Sequence, residues 1–179
     1  MKIFINPGHA PNGKPDPGAC NKYTGLRESD VAANVGKLVA KYLNNVGIVT
    51  EILQRDSLGE VCYRANACEA DYFISIHCNS AESSKANGTE TWCCYGSDEG
   101  SRLAGCINNE IVEAMGTTDR GVKVARPGIN GLYVLTNTDM PAVLVELAFI
   151  NNSYDVVLLT EKQDEFARAI ARGVTDYLL

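Results

Sequence analysis

Long apolar runs and clusters of positive charge are both missing from this sequence of 179 residues. No stretch is apolar enough for long enough to span a membrane, and Met1 to Asn6 lack the basic-then-apolar pattern of a signal peptide. The formal charge is −6, with no segment rich in Lys or Arg, which argues against nucleic acid as a partner. We therefore expect no membrane partner, no nucleic-acid partner and no signal peptide in this chain.

The seven cysteines include no C-x-x-C pair, the spacing typical of zinc ribbons and redox motifs. We interpret them as buried thiols that pack as small hydrophobic side chains, and the alternative of a disulfide stays open. Cys78 directly follows His77 in an extended segment, so it should point to the opposite side of the strand and pack there. No zinc ribbon or redox motif is predicted.

Linkers, internal repeats and low-complexity tracts are also absent, and 179 residues fit one domain. Apolar runs rich in β-branched and aromatic residues alternate with segments of helical periodicity. This alternation predicts βαβ units and a mainly parallel sheet in an α/β domain. The predicted strands are 2–6, 48–53, 71–77, 89–95, 132–135 and 141–146. The predicted helices are 28–46, 58–68, 101–115 and one that begins at about 163. The predicted loops are 10–27, 80–88 and 116–130.

Three of the predicted strands lead to a side chain that can bind metal or carry a proton. His9 follows the first strand after a Pro-Gly step, His77 ends the central strand, and Glu146 ends the apolar run 142–145. Because chemistry in open parallel sheets lies beyond the carboxyl ends of the strands, these groups should line one edge. We interpret that edge as the active site.

Two imidazoles and one carboxylate are a common ligand set for hydrolytic zinc, which keeps a fourth position for water. His9 and His77 supply the imidazoles, and Glu28 is the best third ligand because the chain returns there after a long loop. Glu146 then stays unbound and able to carry a proton. Simpler explanations also apply: a histidine after a strand can be a hydrogen-bonded surface residue, and Glu28 can be a helix N-terminal charge. A carboxylate that ends so apolar a strand, as Glu146 does, is costly unless it is paired or functional.

Short motifs that run in order through nearly the whole chain carry a family resemblance. They are Asn6–His9, Asp16–Ala19 ahead of Glu28, Phe73–Asn79, Gly88–Thr91, Arg120–Lys123, Tyr133–Leu135, Met140–Glu146 and Phe149–Asn152. Together they resemble the zinc-dependent N-acetylmuramoyl-L-alanine amidases of the type-3 class, which are bacterial cell-wall hydrolases.

The resemblance implies that zinc is bound by His9, Glu28 and His77, with Glu146 as the catalytic carboxylate. It implies hydrolysis of the amide between the lactyl group of N-acetylmuramic acid and L-Ala in peptidoglycan, as in autolysins and endolysins. It also implies a twisted, mostly parallel sheet of about six strands with helices on both faces. We expect residues 1–179 to form a single, monomeric zinc amidase domain with no separate cell-wall-binding domain.

Other side chains near the predicted edge have two interpretations each. Asn79 orients a ligand or substrate, or it caps the exit of its strand. Glu90 is a spare ligand candidate, and Trp92 stacks on the substrate or packs on the sheet. Arg120 and Arg126 bind carboxylates of the stem peptide, or they are solvated surface charges.

Three further functions stay open at this point. A zinc peptidase of similar fold would cut a bond within the stem peptide, and a wall-binding module would bind the same polymer without hydrolysis. A domain with a structural metal would unfold when a chelator is added. Without a signal peptide, the protein would reach the wall when the cell lyses, or it would be the excised domain of a larger exported protein.

Overall fold

The structure of this chain, a computed structural model, describes residues 1–179 and contains one six-stranded sheet. Most of its strands are apolar segments rich in β-branched and aromatic residues, which favour a pleated, buried surface. The strands are β1 (Lys2–Pro7), β2 (Val49–Ile52), β3 (Tyr72–Asn79), β4 (Thr89–Cys94), β5 (Asp119–Ala125) and β6 (Ala142–Phe149).

The strands lie in the order β2-β1-β3-β6-β4-β5. The first four are parallel to one another, whereas β4 pairs antiparallel with β6 and parallel with β5. The carboxyl ends of β1, β3 and β6 therefore meet at one edge of the sheet, beside the amino ends of β4 and β5. The prediction of a mostly parallel sheet of six strands is confirmed.

Six helices accompany the sheet, and the predicted α/β architecture with helices on both faces is confirmed. None of the six combines the length and the apolar composition that crossing a bilayer requires. The helices are α1 (Glu28–Asn45), α2 (Leu58–Ala67), α3 (Asp98–Met115), α4 (Tyr133–Thr136), α5 (Asp155–Glu161) and α6 (Gln163–Leu178).

The two faces of the sheet are covered to different extents, which leaves room for a site. Helices α1, α3 and α6 pack over a buried cluster of 30 residues, whereas α2 and the short α4 pack over a cluster of only 11. On this second face, β3 carries Phe73 and then His77, and β6 carries Leu144 and then Glu146. The change from apolar to polar residues along both strands places the functional groups beyond the helical cover.

Three parts of the chain differ from the predicted secondary structure, and one of them is helix α5, where no helix was predicted. The strand predicted at 132–135 is wrong, because Tyr133–Thr136 forms helix α4. An apolar stretch of four residues has no period that separates a buried strand from one turn of helix. The predicted loop 116–130 is also wrong in part, since it contains β5. That strand is the edge of the sheet, and its exposed charges and glycine resemble a surface loop.

All seven cysteines are free, so the disulfide alternative is wrong for this structure. Cys62, Cys78 and Cys93 are buried, as the packing interpretation predicts, whereas Cys20 is exposed and Cys68, Cys94 and Cys106 are only partly buried. Cys78 lies in the larger core, on the face opposite His77, and burial raises the pKa of its thiol well above the usual value.

Helix α6 approaches the backbone of α3 closely at Gly173. A Cβ on Gly173 would lie 2.6 Å from Cα and 2.8 Å from N of Ile107. Because overpacking forces the backbone to shift, we expect Gly173→Ala to lower the free energy of unfolding by about 1–3 kcal/mol. Gly105→Ala in α3 is the matched control, since nothing lies within 4 Å of its added Cβ, and it should be neutral or slightly stabilising. Urea unfolding measures both variants, and equal effects would argue against the close contact.

Candidate functional site

His9 stands on a tight turn that follows β1. Its φ of 63° lies in the left-handed region, which is costly for a residue with a side chain. The preceding Gly8 N donates to Ile76 O at 2.9 Å, which holds the turn against β3. A Cβ on Gly8 would overlap the imidazole ring of His77. Glycine at this position therefore allows the two imidazoles to approach, with ring centroids 5.1 Å apart.

Glu28 reaches the site because the loop between β1 and α1 folds back on itself. An isolated bridge pairs Cys20 with Arg27, and Glu28 N donates to Ala19 O at 2.9 Å. The buried carboxylate accepts hydrogen bonds from two backbone groups, with Ala19 N 2.8 Å from Oε2 and Cys78 N 3.1 Å from Oε1. The loop and β3 thus fix the orientation of the first side chain of α1.

The three predicted ligands meet at one carboxylate oxygen. Oε1 of Glu28 lies 3.0 Å from Nε2 of His9 and 2.8 Å from Nδ1 of His77. The other ring nitrogen of His9, Nδ1, is 2.6 Å from Oδ2 of Asp16. A carboxylate on the second nitrogen fixes the tautomer and orientation of an imidazole, as is usual around metal-bound histidines.

The pKa values at this cluster show how strongly its charges interact. Burial would lower the pKa of His9, but hydrogen bonds to Glu28 and Asp16 outweigh it and raise the pKa to about 9. Burial would likewise raise the pKa of Glu28, but hydrogen bonds from His77 and His9 hold that pKa well below its usual range. The carboxylate is therefore ionised at neutral pH and available to a cation.

The cluster fits a divalent metal ion. Its three ligand atoms lie within 4.8 Å of one another, and ligands of a tetrahedral zinc are about 3.3 Å apart. Two imidazole nitrogens and a carboxylate oxygen suit such an ion, and Asp16 and the backbone amides already orient them. Both imidazoles direct a ring nitrogen at the same oxygen, Oε1 of Glu28.

Glu146 lies beside this cluster on β6, in register with His77 on one side and Glu90 on the other. Glu146 as a whole is partly exposed, yet its Oε2 atom is buried and has no hydrogen-bond partner. Burial raises the pKa of Glu146 to about 7, and the neighbouring imidazole of His77 offsets part of this rise. A buried carboxylate oxygen with no protein partner is costly unless a ligand or solvent group completes it. Glu146 is thus suited to exchange a proton near neutral pH.

Glu90 does not join the metal cluster, because its buried carboxylate is occupied by three other side chains. Oε1 accepts from Asn79 Nδ2 at 3.0 Å and from Trp92 Nε1 at 3.2 Å. Oε2 accepts from Arg120 Nε at 2.7 Å. Asn79 also caps the strand exit, since its Oδ1 accepts from Ser80 N at 2.8 Å. Arg120 is therefore not a simple solvated charge, and Trp92 is anchored to the sheet.

Two residues of the loop after His9 matter more than the sequence indicated. Asp16 orients His9, and Gly18 N donates to Asp16 Oδ1 at 2.9 Å. The motif Asp16–Ala19 contributes to the resemblance to the amidases, but its spacing alone assigns no role to either residue. Only the fold of the loop brings them against His9.

Gly18 lies where any larger residue would contact two of the three ligands. An added Cβ would be 2.5 Å from Cδ2 of His9 and 2.7 Å from Oε2 of Glu28. We expect Gly18→Ala to weaken metal binding by about 10- to 100-fold, as misplaced ligand support does. Gly25→Ala is the matched control, because its φ of +73° is equally unfavourable for alanine but nothing lies within 4 Å. Competition with a fluorescent zinc chelator measures both affinities, and similar losses would show a general loop defect.

Comparison with known families gives one match that covers almost the whole chain. The model of the family described as N-acetylmuramoyl-L-alanine amidase matches residues 3–176. The chain is 38% identical to the N-acetylmuramoyl-L-alanine amidase LytC of Bacillus subtilis, over 98% of this chain and 35% of LytC. It is 34% identical to the endolysin of Bacillus phage SPP1, over 96% of this chain and 62% of the endolysin. The chain therefore spans less than two thirds of either relative.

A solved structure extends the match to three dimensions. The N-acetylmuramoyl-L-alanine amidase AmiC2 of Nostoc punctiforme superposes with a TM-score of 0.88 at 32% identity. The alignment covers 99% of this chain and 97% of the AmiC2 chain. The similarity thus includes every strand and helix around the cluster of His9, Glu28 and His77.

Proposed function

This chain belongs to the N-acetylmuramoyl-L-alanine amidase family, and on that premise we propose that it cleaves the amide between the lactyl group of N-acetylmuramic acid and L-Ala in peptidoglycan. The observation that carries the proposal is the convergence of His9, Glu28 and His77 beside a buried carboxylate, Glu146, with an unpartnered oxygen. Hydrolysis of an amide needs both a site for an activating cation and a group that moves a proton.

We propose zinc as the ion, held by His9 Nε2, Glu28 Oε1 and His77 Nδ1. Two histidines and one carboxylate are the protein ligands of several zinc hydrolases. When bound, zinc supplies a water of lowered pKa and polarises the scissile carbonyl. Nδ1 of His9 is hydrogen-bonded to Asp16, which leaves Nε2 as the nitrogen that would bind the ion.

In this proposal Glu146 moves the proton. Its carboxylate accepts a proton from the attacking water, and the same group then donates that proton to the nitrogen of L-Ala as the amide bond breaks. A pKa raised to about 7 by burial supports both steps near neutral pH. The unpartnered Oε2 supports a role in contact with water or substrate. We further propose that Asn79 and Arg120 contact the substrate, since both are linked to Glu90 beside Glu146.

We also propose that residues 1–179 act as one monomeric catalytic domain, because a single chain contributes all three ligands and Glu146. Its place of action is the cell wall. The protein reaches that polymer on lysis, as an endolysin does, or as part of an exported protein.

Product analysis tests the proposal directly. Purified peptidoglycan treated with the zinc-loaded protein should release peptides with L-Ala at the amino end and should leave lactyl carboxyl groups on the glycan. Mass spectrometry identifies both products. Cleavage inside the stem peptide would indicate a peptidase instead, and binding to the wall with no new ends would indicate a non-hydrolytic module.

A further inference from the structure

A row of charged and polar side chains crosses the sheet next to the metal cluster. His77 on β3, Glu146 on β6 and Glu90 on β4 are direct cross-strand neighbours on one face. Arg120 on β5 continues the row through its 2.7 Å contact with Glu90. Strands are about 4.8 Å apart, so the backbone at Arg120 is about 10 Å from that at Glu146.

Arg120 occupies an irregularity of the edge strand. Thr89 pairs with Asp119 but Thr91 pairs with Val122, so two residues of β5, Arg120 and Gly121, stand opposite one residue of β4. The φ of Gly121 is +74°, a conformation that glycine allows. Such extra residues bend a strand and redirect its side chains, and they are frequent next to active sites.

Two contacts fix the guanidinium of Arg120, but only one of its three nitrogens donates a hydrogen bond within the chain. Its Nε donates to Glu90, and its Cζ lies 4.8 Å from the centre of the Phe149 ring. Neither Nη1 nor Nη2 donates a hydrogen bond to any residue of the chain, and the side chain is 36% exposed. Because Glu90 is buried, its carboxylate fixes the position of the Arg120 guanidinium. Two free, coplanar donors on an anchored guanidinium match a carboxylate.

The order of groups along the row gives the direction of the substrate. In the proposed reaction the scissile carbonyl faces the metal cluster, and its nitrogen faces Glu146. The leaving peptide therefore extends from Glu146 toward Glu90 and Arg120. The backbone of an extended peptide advances about 7 Å over two residues, so the residue after L-Ala comes within reach of the arginine side chain.

From this geometry we infer that Arg120 binds the free α-carboxylate of the residue that follows L-Ala, with Glu90 as the residue that positions it. The inference rests on the proposed function for the direction of the peptide. It predicts that the enzyme discriminates between stem peptides in which this carboxyl group is free and those in which it is amidated.

The test compares two substrates that differ at that group alone, N-acetylmuramoyl-L-Ala-D-Glu and N-acetylmuramoyl-L-Ala-D-isoglutamine. The zinc-loaded wild type should have a kcat/KM about 10- to 100-fold higher for the free acid, the range expected for a charge-assisted pair. The difference should lie mainly in KM, because Arg120 contacts a group remote from the reacting atoms.

Variants assign the preference to Arg120. Arg120→Gln should reduce the preference to near unity, and Arg120→Lys should retain part of it, since lysine keeps the charge but lacks the planar pair of donors. The double variant Glu90→Gln/Arg120→Gln leaves no buried charge unpaired, so a loss of preference there cannot come from an orphaned Glu90. Arg126→Gln is the matched control: this arginine follows the far end of β5 and stacks on Tyr95, and its loss should leave the preference unchanged.

A binding measurement separates this inference from the proposed function. Calorimetry with the Glu146→Gln protein should show tighter binding of the free acid than of the amide, whether or not hydrolysis occurs. Equal binding and equal kcat/KM for the two compounds would overturn the role of Arg120 and leave the amidase proposal intact. A binding preference that depends on Arg120, without release of L-Ala peptides by the wild type, would support the carboxylate site and overturn the amidase proposal.

Discussion

Glu146→Gln is expected to slow the hydrolysis of purified cell walls by about 10²- to 10⁴-fold, the usual contribution of a general acid–base group. Glutamine keeps the shape of the side chain but cannot carry the proton between water and the leaving nitrogen. Since Glu146 is not one of the three converging ligands, the metal content should not change. Turbidity loss of the walls, with metal determined on the same samples, measures both quantities.

The stability of this variant distinguishes lost chemistry from a lost fold. Burial raises the pKa of Glu146 from 4.5 to about 7 in the metal-free protein, so the folded state loses stability as the pH rises from about 4.5 to about 7, and the full cost is present at pH 8. The glutamine variant has no such cost, and at pH 8 the metal-free variant should be at least as stable as the wild type. Glu113→Gln, at an exposed position of α3, is the control and should lyse walls normally. Equal lysis by wild type and Glu146→Gln would contradict the assignment of Glu146 as the catalytic carboxylate.

Glu28→Gln is expected to weaken zinc binding by at least about 100-fold, more than the loss of a supporting residue usually does. The amide has only one oxygen and no charge, whereas Oε1 of Glu28 now contacts both His9 and His77 while Oε2 accepts from Ala19 N. Hydrolysis should fall in parallel at limiting zinc. Calorimetric zinc titration and wall turbidity measure the two effects.

Asp30→Asn is the matched control for Glu28→Gln, because both carboxylates lie in the first turn of α1. If Glu28 served only the helix dipole, both variants would have similar small effects. If the metal were purely structural, a chelator would unfold the wild type. We expect the far-UV circular dichroism to survive chelation while hydrolysis is lost, because the two buried clusters under the helices do not depend on the site.

Local patterns in the sequence were enough for five of the six strands, for the exits of β1, β3 and β6, and for His9, His77 and Glu146. They also made Glu28 a candidate third ligand, with a helix N-terminal charge as the open alternative. Residues 72–76 are apolar except for Ser75, and residues 142–145 are a continuous apolar run, which is the pattern of strands buried on both faces. Each run ends in a polar group that an apolar strand would not otherwise carry. His9, His77 and Glu146 could therefore be placed at one edge of a parallel sheet without coordinates.

The other features of the site depend on tertiary contacts, which the pattern of the sequence does not record. Glu28 binds His77 across 49 residues of sequence, and only the folded loop brings it there. The role of Asp16 depends on the fold of its loop against His9. The occupied carboxylate of Glu90 and the free nitrogens of Arg120 depend on neighbours from other strands. The periodicity of a sequence records which face of an element is buried, whereas a hydrogen-bond partner is set by the packing of distant segments. For the same reason the edge strand β5 was not predicted, since its polar surface is stabilised by pairing with β4 and not by its own pattern.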